Sequence, residues 1–448
     1  MNKHKRCDLF WQAACSAVLA DMCYEFLKPL LVELNTWLDR RLVQTCLGLV
    51  FAIVMHRHRN QGLLLSELGG YLLSPDRGPA GTKRLSRLLH SPRWEAELVE
   101  DFLWQGADRR VEELVAEKKT ALAVWDESVL EKTESLHLEG LGPVRSTKAA
   151  RLKRIKPGYY NPPGGRPIFV PGMNSLAVLV MGPSGPPTLA SMQWWTTRGS
   201  QATDRRSVER ALLTDLSQRW GPDVLHVWDR GFAGSPWLTS AFVHAARFIL
   251  RWPKRYQLRD EQGQLRPAWQ FTRGQRSWGH RYLYDARRRC QRKVGVVAVP
   301  VYDPTHNQPL WLVVARPGQG REPWYLLTSE PIHSAQDAWT IVFAYARRWQ
   351  VEMAWRYTKS ELAFECPRLR DWPTRHKFLL IATLAYAFLL SLLKPALHTL
   401  CQALLAVGCH RTGKRSRETS APLYRLRIAL SRLWLAHPPP FLARLNSG

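Results

Sequence analysis

Four side chains in the segment running from Tyr345 to Lys359 have the types and spacing to do chemistry on a phosphate backbone. If the segment is helical, at ~100° per residue, Tyr345, Arg348, Glu352 and Lys359 fall at roughly 0°, −60°, −20° and −40° around the axis. One carboxylate, two cations and a phenol then share a single stripe. A carboxylate in that setting holds a cation, and Arg and Lys take phosphate oxygens on either side. A plainer reading stays open, in which Glu352 on a solvated face pairs with Arg348 or Arg356, four residues to either side.

Phosphodiester cleavage needs an activated nucleophile and a stabilised leaving oxyanion. Two magnesium ions about 3.5 to 4 Å apart supply both. Magnesium takes carboxylate oxygens, so such a protein has to gather several acids. Two further acids end runs that read as short buried strands, Ala121-Leu-Ala-Val-Trp-Asp126 and Val224-Leu-His-Val-Trp-Asp229. In both, a Trp precedes the Asp, and strand alternation sends the ring to one face and the carboxylate to the other. Asp126, Asp229 and Glu352 are therefore the candidate catalytic and metal-binding set, with two Mg2+ ions expected and Mn2+ as a substitute. Glu127, on the opposite strand face, competes with Asp126 as the first acid.

The elements that must position these acids follow from periodicity. Residues 1–118 read as a helical domain, with apolar repeats in Leu42–Met55, Leu63–Leu73 and Trp94–Val115. A loop at Ser74–Gly81 precedes a short helix from Thr82, its cap, to His90, whose Lys83, Arg84 and Arg87 avoid the apolar face. A helix pair with a basic second member suits DNA docking.

From 119 to 251 the pattern turns to strands: Ala121–Asp126, Ile168–Val170, Leu176–Met181, Thr188–Trp195, Val224–Asp229 and Ala246–Leu250, with a helix over Ser235–Ala245. Residues 252–334 form a β-rich insertion, with runs at Val294–Tyr302, Leu310–Ala315 and Trp324–Thr328. The helix carrying Glu352 starts near Ser334, where Ser-Ala-Gln-Asp337 forms a capping box. It opens a second core segment, 335–400, and a basic helical tail occupies 401–448.

The charge balance identifies the partner. The 448 residues hold 64 Lys and Arg against 37 Asp and Glu, a net charge of +27. That excess points to a polyanion, and nucleic acid is the commonest one. The 20 Trp and 45% hydrophobic residues describe a folded body rather than a basic tail. Two stretches concentrate the charge: Arg145–Arg166, with Tyr159 and Tyr160, and Arg247–Lys293, interleaved with Trp252, Trp269 and Trp278. Cations among aromatic rings hold backbone and unpaired bases.

Other classes are excluded. The eight cysteines show no CxxC pair, so neither a zinc ribbon nor a disulfide framework is expected. The uncharged run Phe378–Leu393 falls short of the ~20 residues of a spanning helix and reads as a buried core helix, with no membrane role. The N-terminal run Leu9–Ala20 is interrupted by Gln12 and closed by Asp21 without a cleavage site, so a cytoplasmic, nucleoid-associated protein is expected. Gly408-Cys-His-Arg-Thr-Gly-Lys414-Arg415 has the outline of a phosphate-binding loop but lacks its Ser or Thr and follows a helix.

Taken together, Tyr345-x2-Arg348-x3-Glu352-x6-Lys359 resembles the YREK signature of the insertion-sequence-four family of bacterial DDE transposases. Asp229-Arg230-Gly-Phe232 resembles the setting of that family's second acid, and Pro323–Pro331 resembles the end of its β insertion. The likeness spans about residues 119–393. It implies an α/β fold: a ribonuclease-H-like mixed-sheet core interrupted by the β-rich insertion, with a helical N-terminal domain and a helical C-terminal region.

The resemblance further implies cut-and-paste transposition through a hairpin intermediate. A homodimer would hold paired ends of double-stranded DNA with terminal inverted repeats and join them to target DNA. Trp324 would stack on a flipped end base while Tyr345, Arg348 and Lys359 grip the neighbouring phosphate and Arg230 lies beside them. Two alternatives belong to other classes, a catalytically silent end-binding repressor and a ribonuclease-H-like repair nuclease.

Overall fold

The computed structural model describes residues 3–132, 137–146, 168–285, 290–318, 321–408 and 423–441. Its first helices are α1 (Lys3–Trp37), α2 (Arg40–Met55), α3 (Leu65–Leu72), α4 (Gly78–Leu89) and α5 (Glu97–Ala116). Asp39 caps α2, its carboxylate accepting from Leu42 N at 3.0 Å, and α2 is buried along most of its length.

The α4 helix starts at Gly78, ahead of the expected cap at Thr82. Pro79 lies in its first turn, where a missing N–H costs nothing. Thr82 is thus inside the helix, its hydroxyl donating to Gly78 O at 2.9 Å. The pairing with α3 depends on glycine, because a Cβ on Gly81 would stand 2.1 Å from Gly69 O.

The chain continues through β1 (Ala121–Glu131), β2 (Gly142–Arg145), β3 (Phe169–Met181), β4 (Thr188–Trp195), α6 (Arg205–Trp220), β5 (Val224–Trp228), α7 (Ser235–Val243) and β6 (Arg247–Arg251). Next come β7 (Gln257–Arg259), β8 (Leu265–Pro267), α8 (Ala268–Phe271), β9 (Gly279–Asp285), β10 (Cys290–Tyr302), β11 (Pro309–Arg316) and β12 (Trp324–Thr328). These strands form one 12-stranded sheet, ordered β2-β3-β1-β5-β6-β12-β11-β10-β7-β8, with β4 on β3 and β9 on β10. The β1–β5 and β5–β6 pairs are parallel and the others antiparallel, so the sheet is mixed. Because β12 pairs with β6, the strands of 252–334 continue the sheet that carries β1 and β5.

The sheet separates two cores. Leu122, Val124 and Val227 face one, together with Val351, Ala354 and Trp355. Ala123, Trp125 and Trp228 face the other, under Leu212, Leu213 and Trp237 of α6 and α7. Central strands buried on both faces read as near-continuous apolar runs, as Val-Leu-His-Val-Trp of β5 does.

Contrary to the expectation of a short strand, β1 does not end at Asp126. Its parallel ladder with β5 stops at Val124↔Val227, but β3 pairs with it as far as Glu131↔Gly172. Asp126 therefore sits in mid-strand, level with the place where β5 ends.

The helices after the sheet are α9 (Ala335–Ala346), α10 (Trp349–Ser360), α11 (Trp372–Ser391), α12 (His398–Gly408) and α13 (Leu423–Ala436). The Ser334 capping box has both of its bonds. The helix it opens is not continuous, however. Arg348 N bonds to Tyr345 O at 3.0 Å and Val351 N to Arg348 O at 3.2 Å, the i→i+3 pattern of a tightened turn. Tyr345 thus closes one helix and Glu352 and Lys359 lie on the next.

As expected, α11 is a core helix, buried from Phe378 to Leu390. No single helix among the described residues is long and apolar enough to cross a membrane. The described cysteines are free thiols. Residues 147–166 of the first basic stretch, and residues 409–415 of the sequence with the outline of a phosphate-binding loop, lie outside the described residues.

Candidate active site

The three acids arrive on three separate segments. Asp126 shares the β1 face of Val124 and turns toward α10. Asp229 follows the last residue of β5, where its carboxylate accepts from Gly231 N at 2.6 Å and so fixes the turn. Continuing the parallel register of Val124↔Val227 sets Asp229 across from Asp126. Glu352 lies in the first turn of α10, a helix laid against β1 by a bond from Trp355 Nε1 to Asp126 O at 3.4 Å.

Arg348 joins two of them. Its guanidinium stands 3.5 Å from Asp126 Oδ1 and also pairs with Glu352. The plainer reading of the sequence is thus partly met, since Glu352 does pair with Arg348, but the same arginine reaches a strand more than 200 residues away in sequence. Arg356 is exposed. Lys359 donates to Ser128 Oγ at 2.6 Å, on the β1 face that carries Asp126. The turn at Arg347 and Arg348 therefore does not scatter the stripe: Arg348, Glu352 and Lys359 all face β1.

Tyr345 is buried, with the Arg348 and Arg251 guanidinium groups each 5.9 Å from its ring centroid. The Trp324 ring on β12 meets Tyr345 edge-on at 5.2 Å, and the Arg251 guanidinium lies 5.5 Å over Trp324. A cation held over an aromatic face in this way is attracted by the ring quadrupole. Trp324 is half-buried rather than core, and Arg230 is exposed beside Asp229.

Burial dominates the electrostatics. It pushes the Asp126 carboxyl up to about 8, against the opposing pull of Arg348, with Asp229, Glu352 and Glu127 adding like charge. At Arg348 burial opposes the charge, but Tyr345, Glu352 and Asp126 outweigh it and raise the guanidinium above its ordinary value. Glu127 points to the other face, as alternation requires, and is paired there with Arg205 at 2.7 Å. The competing first acid is thus already committed to a partner.

Carboxylate oxygens are the donors a hard divalent cation takes, and Asp126 is a buried acid whose ionisation lacks sufficient compensation. The residues fit such a cation in chemistry. In spacing, no three His, Cys, Asp or Glu side chains among the described residues already stand in a metal-binding group, and Arg348 lies between Asp126 and Glu352. Seating a cation requires that guanidinium to swing aside.

One consequence is a pH dependence of the metal-free protein. A carboxyl raised from 3.8 to about 8 holds its proton more tightly folded than unfolded. Its contribution to stability is therefore lost progressively as pH rises through that window. In chelator, the thermal midpoint should fall across this range and Asp126→Asn should remove that part of the slope. An unchanged slope in the variant would show that Asp126 is not the group responsible.

Sequence reasoning missed several residues. Arg251 and Trp355 carry no local signal. Arg205 and Glu209 do, as an i, i+4 pair behind the Asp204 cap. Of the basic residues expected to meet DNA, Lys83 and Arg87 are exposed on α4. Arg84 instead ties α4 to α2, donating to Thr45 Oγ1 at 2.7 Å and Arg41 O at 3.3 Å. A groove of about 800 Å³ runs between these helices, lined by Arg40, Arg41, Arg77, Lys83, Arg84 and Arg87. In the second basic stretch Trp252 is core, whereas Trp269 and Trp278 are exposed, the former under Arg273.

Residues 196–388 match the family model described as the transposase DDE domain. That span contains Asp229, Trp324 and the Tyr345–Lys359 segment, and Asp126 lies upstream of it. The match supports a DDE transposase. No curated protein sequence matches the chain. Among solved structures, the cryo-EM structure of a piggyBac transposase synaptic complex with hairpin DNA aligns with a TM-score of 0.41 and 12% identity, covering 97% of this chain and 81% of that one.

Proposed function

With a transposase DDE domain over residues 196–388 as the premise, we propose that the protein is a cut-and-paste DNA transposase of the insertion-sequence-four type, with Asp126, Asp229 and Glu352 as its acids. The observation that carries this reading is Arg348, which draws the β1 acid and the α10 acid to one guanidinium level with the end of β5. The antiparallel β4–β3–β1 strands followed by parallel β5 and β6 support a ribonuclease-H-like core.

Two divalent cations, Mg2+ or Mn2+, would supply nucleophile activation and leaving-group neutralisation when held by the three carboxylates. The chain's own residues do the rest. Arg348, Lys359 and the Tyr345 phenol hold the phosphate next to the scissile bond, in a site dry enough to raise Asp126. Trp324, flanked by Tyr345 and Arg251, offers a face to an unpaired end base, a contact worth about 1 to 3 kcal/mol. Arg230 faces the same strand beyond Asp229. Lys83 and Arg87, with Arg40 and Arg41 across the groove, dock duplex DNA, and two copies of the chain hold paired inverted-repeat ends.

The deciding experiment incubates the protein with Mg2+ and DNA carrying candidate terminal repeats. Nicked and hairpin products are expected. Nicks alone favour a repair nuclease, and binding without cleavage favours a repressor. The basic surface gives a second expectation: log affinity for duplex ends falls linearly with log salt, by about 0.9 per contacted phosphate. A flat salt response is incompatible with phosphate docking.

A further inference from the structure

We propose that Arg205 is a positioning residue that fixes the separation of Asp126 and Asp229, and thereby the capacity of the site for divalent cations; this rests on reading those two acids as ligands.

The need for such a residue arises from the sheet. Hydrogen bonds between β1 and β5 end at Val124↔Val227, before either acid is reached. Beyond that point no strand ladder holds the Asp229 turn against β1. Arg205 takes over on the opposite face of the sheet. It is the first residue of α6, set there by the Asp204 carboxylate, which accepts from Arg206 N at 2.9 Å and Ser207 N at 3.1 Å.

Its Nε donates to Glu127 Oε1 at 2.7 Å, beside Asp126 in the strand. Its Nη2 donates to Gly231 O at 3.0 Å. The N–H of the same Gly231 donates to Asp229 Oδ1 at 2.6 Å. An unbroken series of bonds therefore runs from Glu127 through Arg205 and Gly231 to the Asp229 carboxylate. The guanidinium also lies 5.7 Å over the ring of Phe232, the next residue of the same turn. Glu209, 1% exposed, anchors it from the next turn of α6 at 3.0 Å and is itself held by Arg206 at 2.7 Å.

A planar fork with several donors serves the Glu127 carboxylate and the Gly231 carbonyl at once while staying paired with Glu209, and a lysine ammonium does not reproduce that geometry. Gly231 is part of the joint. A Cβ there would stand 2.9 Å from Asp229 Oδ1 and 3.2 Å from Arg205 Nη2, so any side chain would displace the Asp229 carboxylate and crowd the guanidinium.

The test titrates Mn2+ alone into full-length protein without DNA, by calorimetry, for wild type, Arg205→Gln, Arg205→Lys and Gly231→Ala. Thermal midpoints in chelator and duplex-DNA affinity are measured in parallel. Groups that orient metal ligands change metal affinity by about 10- to 100-fold when removed. Arg205→Gln should weaken Mn2+ by at least the lower figure, Arg205→Lys should fall between it and wild type, and DNA affinity should hold.

Gly231→Ala keeps every charge, so it carries the test if Arg205→Gln does not fold; it too should weaken Mn2+. Mn2+ uptake that Asp229→Asn abolishes but Arg205→Gln and Gly231→Ala leave intact overturns the proposal alone. Wild-type protein that binds no Mn2+, or binds it equally well after Asp229→Asn, overturns the ligand assignment and the proposal with it.

Discussion

Glu352→Gln should reduce DNA cleavage by roughly 10⁴- to 10⁶-fold, the scale of loss when one member of a set acting as a unit is removed, while duplex binding persists. The amide keeps the volume of the side chain and so the packing of α10 on β1. It removes the charge that, with Asp126, would hold a cation. Arg348 keeps one carboxylate partner at 3.5 Å in Asp126, so the phosphate grip survives. Lys359 on Ser128 and the α2–α4 groove are untouched. Removing a negative charge beside bound phosphate should, if anything, tighten the complex. Cleavage and binding assays on the same end fragment check this, and normal cleavage by the variant would remove Glu352 from the catalytic set.

The largest expected effect on stability belongs to Arg427→Met. Arg427 of α13 is 1% exposed and reaches the ends of two other helices. Its guanidinium donates to Ile53 O at 2.5 Å, Val54 O at 3.3 Å and His56 O at 2.8 Å, where α2 finishes. It also donates to Glu361 O, just past the end of α10. Carbonyls at helix C-termini have no partner within their own helix, so Arg427 satisfies several at once. Burial lowers its pKa from the ordinary value, Tyr357 and Glu361 oppose this only in part, and Arg57 adds to it. Methionine fills the space but donates nothing, leaving those carbonyls dry and unpaired.

The expected cost is about 3 to 5 kcal/mol, from several buried carbonyls left unpaired at about 1 to 3 kcal/mol each and partly relieved by removing a buried charge. Denaturant unfolding measures it. A loss below ~1 kcal/mol would mean that water reaches these carbonyls readily. Because α10 carries Glu352 and Lys359, cleavage should weaken in the same variant under conditions where it remains folded.

Much of this protein was legible along the chain because the relevant signals are local. Thr188–Trp195 and Trp324–Thr328 form strands with the limits their patterns suggest, and the Ser334 box caps a helix through bonds spanning one turn. The spacing of Arg348, Glu352 and Lys359 survives even the tightened turn at residues 347 and 348, since an extra i→i+3 bond shifts the stripe without reversing it. The Trp–Asp pairs foretold opposite faces, because alternation needs no partner strand.

What depended on partners distant in sequence was decided only by the tertiary structure. β1 outlasts Asp126 because β3, some fifty residues on, supplies a full-length edge. Arg84 reads as surface until α2 approaches it, and Trp252 reads as interface until the fold buries it in the same core as Leu258 and Leu327. That Arg348 would meet Asp126, or Arg205 would meet both Glu127 and Gly231, follows from register and helix placement. Residue types and their periodicity thus set out the chemistry and most elements of this chain. The fold chose which charge meets which, because a side-chain pair forms only where packing brings its two backbones within reach.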